Sequence, residues 1–146
     1  MAASGISSFS TPTEEKANSH AFYTWMLAGM KLYAELFTTH PLYDGKSDYP
    51  RVCLETFPQA VACALAGTIV SAKSKNPVRR DLLRRRGLES RAFANIDEVD
   101  AGLCALAAHA FVRGHFHAYG DFAGGLIIVP SEPLPSAPDT SDGPPH

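Results

Sequence analysis

Only two short runs in this chain are apolar enough to serve a sheet as buried strands, while most of its other apolar content is spaced for helices. Arg51-Val52-Cys53-Leu54-Glu55 is a brief apolar run ending on an acid, and Leu126-Ile127-Ile128-Val129 is stopped by Pro130. Phe22, Trp25, Met26, Met30, Tyr33 and Phe37 recur at three- and four-residue steps. That spacing predicts one long amphipathic helix, approached through Thr13-Glu14-Glu15-Lys16 and ending before His40-Pro41. Segment 41–50 is rich in turn residues and reads as a loop. Pro58 can open a helix that Gly67 stops. Asn76 and Pro77 predict the cap and first position of a basic helix Val78–Arg86, closed by Gly87. Asn95 with Glu98 three residues later predicts a capping box for an Ala-rich helix running to about Arg113, with a short His-rich link after it. The expected fold class is therefore α/β, with four helices and a few-stranded sheet. Two strands alone make a poor core. Further strands are expected from Thr68–Ser71, from another copy of the chain, or from a separate chain that completes the sheet.

The totals narrow the class. At 146 residues and 45% hydrophobic content there is enough chain for one domain with a real core. A net charge of −2 gives no general electrostatic case for nucleic acid as a partner. Cys53, Cys63 and Cys104 are odd in number and lie in apolar runs, which suits buried thiols in a reducing compartment. The opening MAASGISSFSTPTEE has neither the basic nor the apolar region of a signal peptide. Lys31 and Glu35 interrupt the stretch Phe22 to Phe37, so a membrane span is not expected. These features predict a soluble cytoplasmic protein with a flexible segment 1–12, an ordered domain over 13–130 and a disordered Pro-rich tail over 131–146.

Asp100 is the most informative polar residue. On a helix from Ile96, the side chains of Ile96, Val99, Leu103, Leu106, Ala107 and Ala110 share one face, and Asp100 falls inside it. Asp97 lies at the edge of that face and Glu98 points away. A carboxylate on an inward face costs several kcal/mol (roughly) unless it is paired or metal-bound. Favourable interaction with the helix N-terminus, worth ~0.3–1 kcal/mol, accounts for Asp97 but does not require Asp100 to face inward. Glu55 ends the first apolar run, and ligand sites in open α/β sheets lie off the carboxyl ends of strands. Glu55 and Asp100 are candidate catalytic residues, and with Asp97 they are candidate ligands for Mg2+ or Mn2+, hard ions that favour carboxylate oxygens. Two such ions clamp the attacking and leaving oxygens in phosphodiester hydrolysis. Lys75, Arg79 and Arg80 stand in a strongly basic stretch and are candidate phosphate-binding residues, with a solvated helix face as the plainer reading. His115, His117 and Asp121 have the alternate spacing of a weak transition-metal group, although a surface His pair is the commoner outcome.

Several of these residues also carry a resemblance. Glu55-Thr56-Phe57-Pro58, the Lys-rich link into Arg79-Arg80-x-Leu82-Leu83, Asn95-Ile96-Asp97-x-Val99-Asp100-Ala101, and Tyr119-Gly120-Asp121 with Gly125-x-Ile127-x-Val129-Pro130 resemble, in that order, the C-terminal half of the domain-of-unknown-function family 429. The likeness runs from about Phe9 to Pro130. That family is predicted to consist of RNase H-like nucleases. The resemblance implies a partial RNase H-like fold with a mixed sheet and carboxylates binding divalent metal: Glu55 as the strand-end acid, Asp100 as the acid of an Asp-Ala pair late in the fold, and Asp97 as its neighbour. RNase H-like proteins open with a hairpin-rich half whose first strand carries an essential Asp, and residues 1–12 contain no acid. Two readings result. One is a metal-dependent nuclease-like hydrolase, incomplete without that first strand and touching nucleic acid through the Arg-rich helix. The alternative is a non-catalytic interaction or self-associating module derived from the same fold, a homo-oligomer in solution. A phosphate-binding protein using Arg79 and Arg80 is a third, weaker reading.

Overall fold

The computed structural model describes residues 13–46, 51–89, 93–121 and 123–131. The expected flexible segment 1–12 and all of the expected tail but Ser131 lie outside the described residues. The described residues divide into two compact units, one taking in those of 56–118 with 128–131, the other those of 13–55 with 119–127.

The first unit is built on three helices. Helix α3 (Pro58–Ala66) opens on Pro58, where the missing N–H is one the helix could not have paired anyway. It ends at Gly67, which takes the left-handed φ of 67° that lets its N–H turn back to the carbonyl of Ala64. Helix α4 (Lys75–Arg85) starts earlier than expected, with Ser74 before it. Pro77 marks the first turn but not its first residue, because none of the opening amides has an intrahelical acceptor. Asn76 does not cap the helix; its Oδ1 accepts from Arg80 Nε at 2.8 Å. Helix α5 (Ile96–Val112) begins as its capping box predicts. Asn95 Oδ1 accepts from the Glu98 amide at 3.0 Å, and Glu98 Oε2 reaches back to the Ala94 amide at 2.7 Å. The three helices enclose one apolar cluster of Val61, Ala62 and Leu65 from α3, Leu82 and Leu83 from α4, and Val99, Leu103 and Ala107 from α5.

Thr68–Ser71 is not a strand. The backbone groups of Val70 are taken by side chains of α3: its amide donates to Cys63 Sγ at 3.5 Å and its carbonyl accepts from Gln59 Nε2 at 2.7 Å. Gln59 and Cys63 supply the partners a neighbouring strand would have given.

A hairpin follows α5, with strands β1 (Phe116–Asp121) and β2 (Gly125–Pro130) paired antiparallel. The link after α5 therefore holds a strand that composition does not announce, since Phe116-His117-Ala118-Tyr119-Gly120-Asp121 has no apolar run of its own. It is drawn into extended form by pairing with β2, a case of context overriding propensity. Gly120 is required there: its φ is 121°, and a Cβ would stand 2.2 Å from the carbonyl oxygen of Gly125.

In the other unit, the long helix expected up to Phe37 is broken. It becomes α1 (Glu14–Ser19), a 3-10 turn (Ala21–Tyr23) and α2 (Thr24–Leu36), so the described residues form five α-helices where four were expected. His20 is extended, with φ −133° and ψ 121°. Ser19 donates to the Lys16 carbonyl and Thr24 to that of Ala21, short-range bonds that compete with continuing the helical ladder. Val52–Glu55 is extended but gives single parallel bridges rather than a full strand, Cys53 with Leu42 and Glu55 with Ile127. The mixed sense expected of the sheet is thus present in fragments. Helix α2 contains no buried residue.

Candidate functional site

The inward face of α5 was expected to carry an acid, and it does. The second turn of the helix is fixed by the Asn95 cap, and burying Val99 and Leu103 turns Asp100 toward α4. There its Oδ1 meets Nη1 of Arg79 in an ion pair. The Arg79 side chain is only 6% exposed, that of Asp100 23%. The other arm of the guanidinium, Nη2, donates to Gln59 Oε1 at 2.8 Å, while Gln59 Nε2 holds the Val70 carbonyl. A single polar chain thus runs Asp100–Arg79–Gln59–Val70, joining α5, α4, α3 and the segment after α3. Arg79 Nε is buried without a hydrogen-bond partner. One turn beyond Asp100, burial and then the nearby carboxylate push the Cys104 thiol up from its ordinary pKa.

The other expected site residues are placed differently. Asp97 is exposed in the first turn of α5, where it favours the positive end of the helix. Glu55 is exposed, bridged through its backbone to Ile127, and its Oε2 lies where a Cβ on Gly125 would stand 3.7 Å away. Among the candidate phosphate contacts, Arg79 is turned inward to Asp100, Arg80 is tied to Asn76, and Lys75 is exposed at the start of α4. Arg84 and Arg85 share Asp81, at 2.8 and 2.7 Å. Arg86 donates to the Leu65 carbonyl at 3.2 Å. The basic charge read from the sequence is therefore largely engaged within its own surroundings. Asp121 closes the hairpin turn, with Oδ1 accepting from the amides of Ala123 and Gly124 at 3.0 and 2.6 Å. That bond pattern makes it an Asx-type turn residue. Among the described residues no three of His, Cys, Asp and Glu come together as a cage for a metal ion.

Two features of the site are not visible in sequence. Gln59 looks like an ordinary helix residue, and Arg79 is one of several similar arginines; only the packing of α3 and α4 against α5 selects them. The apolar stripe of α2 is visible in the sequence as periodicity, but its exposure is not. In the structure Trp25 is 65%, Met30 66%, Leu32 55% and Phe37 66% exposed.

The architecture so far is that of an α/β protein with a three-helix core and a short sheet. A family model, described as a protein of unknown function (DUF429), matches residues 1–123, and the chain belongs to that family. No curated protein and no solved structure matches the chain. Among the described residues no helix is long and apolar enough to cross a membrane.

Proposed function

We propose that this chain works as a non-catalytic, self-associating module of its family, two copies docking through α2. One observation carries the reading: α2 buries none of its residues, yet aligns Trp25, Met30, Tyr33 and Phe37 on one face, with Gly29 among them. Single exposed apolar residues need no explanation, whereas a contiguous stripe marks an interaction surface.

A second copy is the occupant the stripe fits best. Gly29 lies midway between Trp25 and Tyr33, and a Cβ there would touch nothing within 4 Å. Two α2 helices crossing antiparallel at Gly29 approach closely and set Trp25 of each against Tyr33 and Phe37 of the other, a self-complementary arrangement suited to a twofold interface. Lys31 and Glu35 are the only charged residues on the helix, so two copies carry no net repulsion. The exposed side chains offer on the order of 600 Å² per copy, against ~800 Å² in a standard interface. The dimer is accordingly expected to be weak and reversible.

Sedimentation equilibrium over a range of concentrations tests this. The expected result is a monomer–dimer equilibrium, shifted to monomer by Met30→Lys with unchanged far-ultraviolet circular dichroism. A strictly monomeric chain at all concentrations would overturn it. The enzymatic alternative is tested separately with single- and double-stranded DNA and RNA in Mn2+. No cleavage is expected; cleavage lost in both Glu55→Gln and Asp100→Asn would establish the metal-dependent nuclease instead.

A further inference from the structure

The polar chain at Asp100 bears on a different question, what the inward acid is for. We infer that Arg79 is a built-in cation standing where a divalent ion would otherwise be held, so that Asp100 is a positioning residue for Arg79 and Gln59 and not a metal ligand.

Arg79 is one of the few charged side chains of the fold that is almost wholly inside, and such a group is tolerated only when paired and hydrogen-bonded. Among the described residues Asp100 is its only anionic partner. If the carboxylate turned to a metal ion, the guanidinium would keep a single acceptor, Gln59 Oε1, in addition to an Nε already without one. Mg2+ and Mn2+ want several oxygen ligands in fixed geometry, and a carboxylate already neutralised by a guanidinium attracts a dication far less. Gln59 spends its carbonyl on Arg79 and its amide on Val70, so each member of the chain fixes the orientation of the next. This gives Asp100 a full role in holding α3, α4 and α5 in register, without a ligand. The inference stands whether or not α2 mediates a dimer, because it concerns residues of the helical unit alone.

Two measurements test it. In the wild-type protein, Mn2+ is titrated while backbone amide resonances are followed by NMR. Amides of Val99, Asp100 and Ala101 are expected to keep their intensity, and selective paramagnetic broadening there would overturn the inference. In parallel, thermal unfolding compares wild type, Asp100→Asn, Arg79→Met and the double variant Arg79→Met/Asp100→Leu. Asp100→Asn leaves the buried guanidinium without its counter-charge, and Arg79→Met leaves a partly buried carboxylate without its own; each is expected to lower the midpoint by roughly 10 °C, whereas the double variant removes both charges and is expected to recover most of that loss. Additive losses, with the double variant as unstable as the two singles combined, would show that the pair is not coupled and would overturn the positioning role.

Discussion

Helices α5 and α2 start from similar material and end in opposite circumstances. Both are amphipathic by sequence, with apolar residues at three- and four-residue steps. Helix α5 has a side-chain cap, an acidic first turn and five buried residues, Val99, Gly102, Leu103, Ala107 and Ala110. Helix α2 follows a 3-10 turn, has no side-chain cap and buries nothing. Amphipathic spacing therefore says that a helix has a face to cover but not what covers it. Within α5 the face is covered by α3 and α4, and the intruding acid is answered by Arg79. On α2 the same kind of face is left to the solvent, and the proposed self-association rests on that difference.

The contrast breaks most sharply in the core of the helical unit. Leu103 is fully buried among residues of α3, α4 and α5, so Leu103→Ala removes its contacts and leaves a cavity. A loss of about 2–5 kcal/mol in unfolding free energy is expected from denaturant titration. Trp25→Ala, a larger truncation, is expected to cost within about 0.5 kcal/mol at concentrations where the protein is monomeric, because its side chain is mostly solvated. If Trp25→Ala proved as costly as Leu103→Ala in the monomer, the stripe on α2 would be core and the interface reading would fall.

Capping is the next difference. Asn95→Ala removes the acceptor for the Glu98 amide and one wall of the reciprocal bond, and about 1 kcal/mol should be lost. An equivalent change at Tyr23, the residue preceding α2, has no side-chain cap to remove. Asn95→Asp should restore most of the loss, since it keeps an acceptor and adds a favourable charge at the helix start. A loss of the same size in Asn95→Asp would mean that the side-chain acceptor is not what stabilises the first turn.

What was legible in the sequence follows the range of the interaction responsible. The Asn95–Glu98 box and the Gly67 stop lie within one turn of the elements they bound, and both form as read. The inward placement of Asp100 follows from the period of its own helix. Its partner does not: Arg79 lies 21 residues away and Gln59 a further 20, and nothing local singles either out from its neighbours. The same limit hides β1, whose extended form depends on β2, and explains the false strand at Thr68–Ser71, where Gln59 and Cys63 take the backbone groups of Val70. The break at His20 was missed because the apolar period continues through it while Ser19 and Thr24 bond the preceding carbonyls. Family membership is secured by the match over residues 1–123.

The smallest expected effect separates buried from exposed charge on one helix, α4. Arg79 faces inward to Asp100, while Asp81 meets Arg84 and Arg85 with all three side chains more than a third exposed. Hydrogen bonding from Arg84 leads the effects that hold the Asp81 carboxyl below its ordinary pKa of 3.8, with burial opposing them and Arg85 adding to them. A carboxyl whose folded-state pKa is depressed contributes stability that is present above the unfolded value and lost as pH falls through the folded one. The Asp81 contribution is therefore complete at neutral pH and disappears only in acid, below about pH 4. Its size is set by solvent screening, so Asp81→Asn should cost no more than a few tenths of a kcal/mol at pH 7, and less in high salt. Asp100→Asn should retain most of its much larger cost in 1 M NaCl, because its guanidinium partner is inside. Unfolding of the two variants at low and high salt checks the pair directly. If salt erased both losses equally, the Asp100–Arg79 contact would be a surface ion pair like its neighbours on α4, and the distinction between the inward and outward faces of that helix would carry no energetic weight.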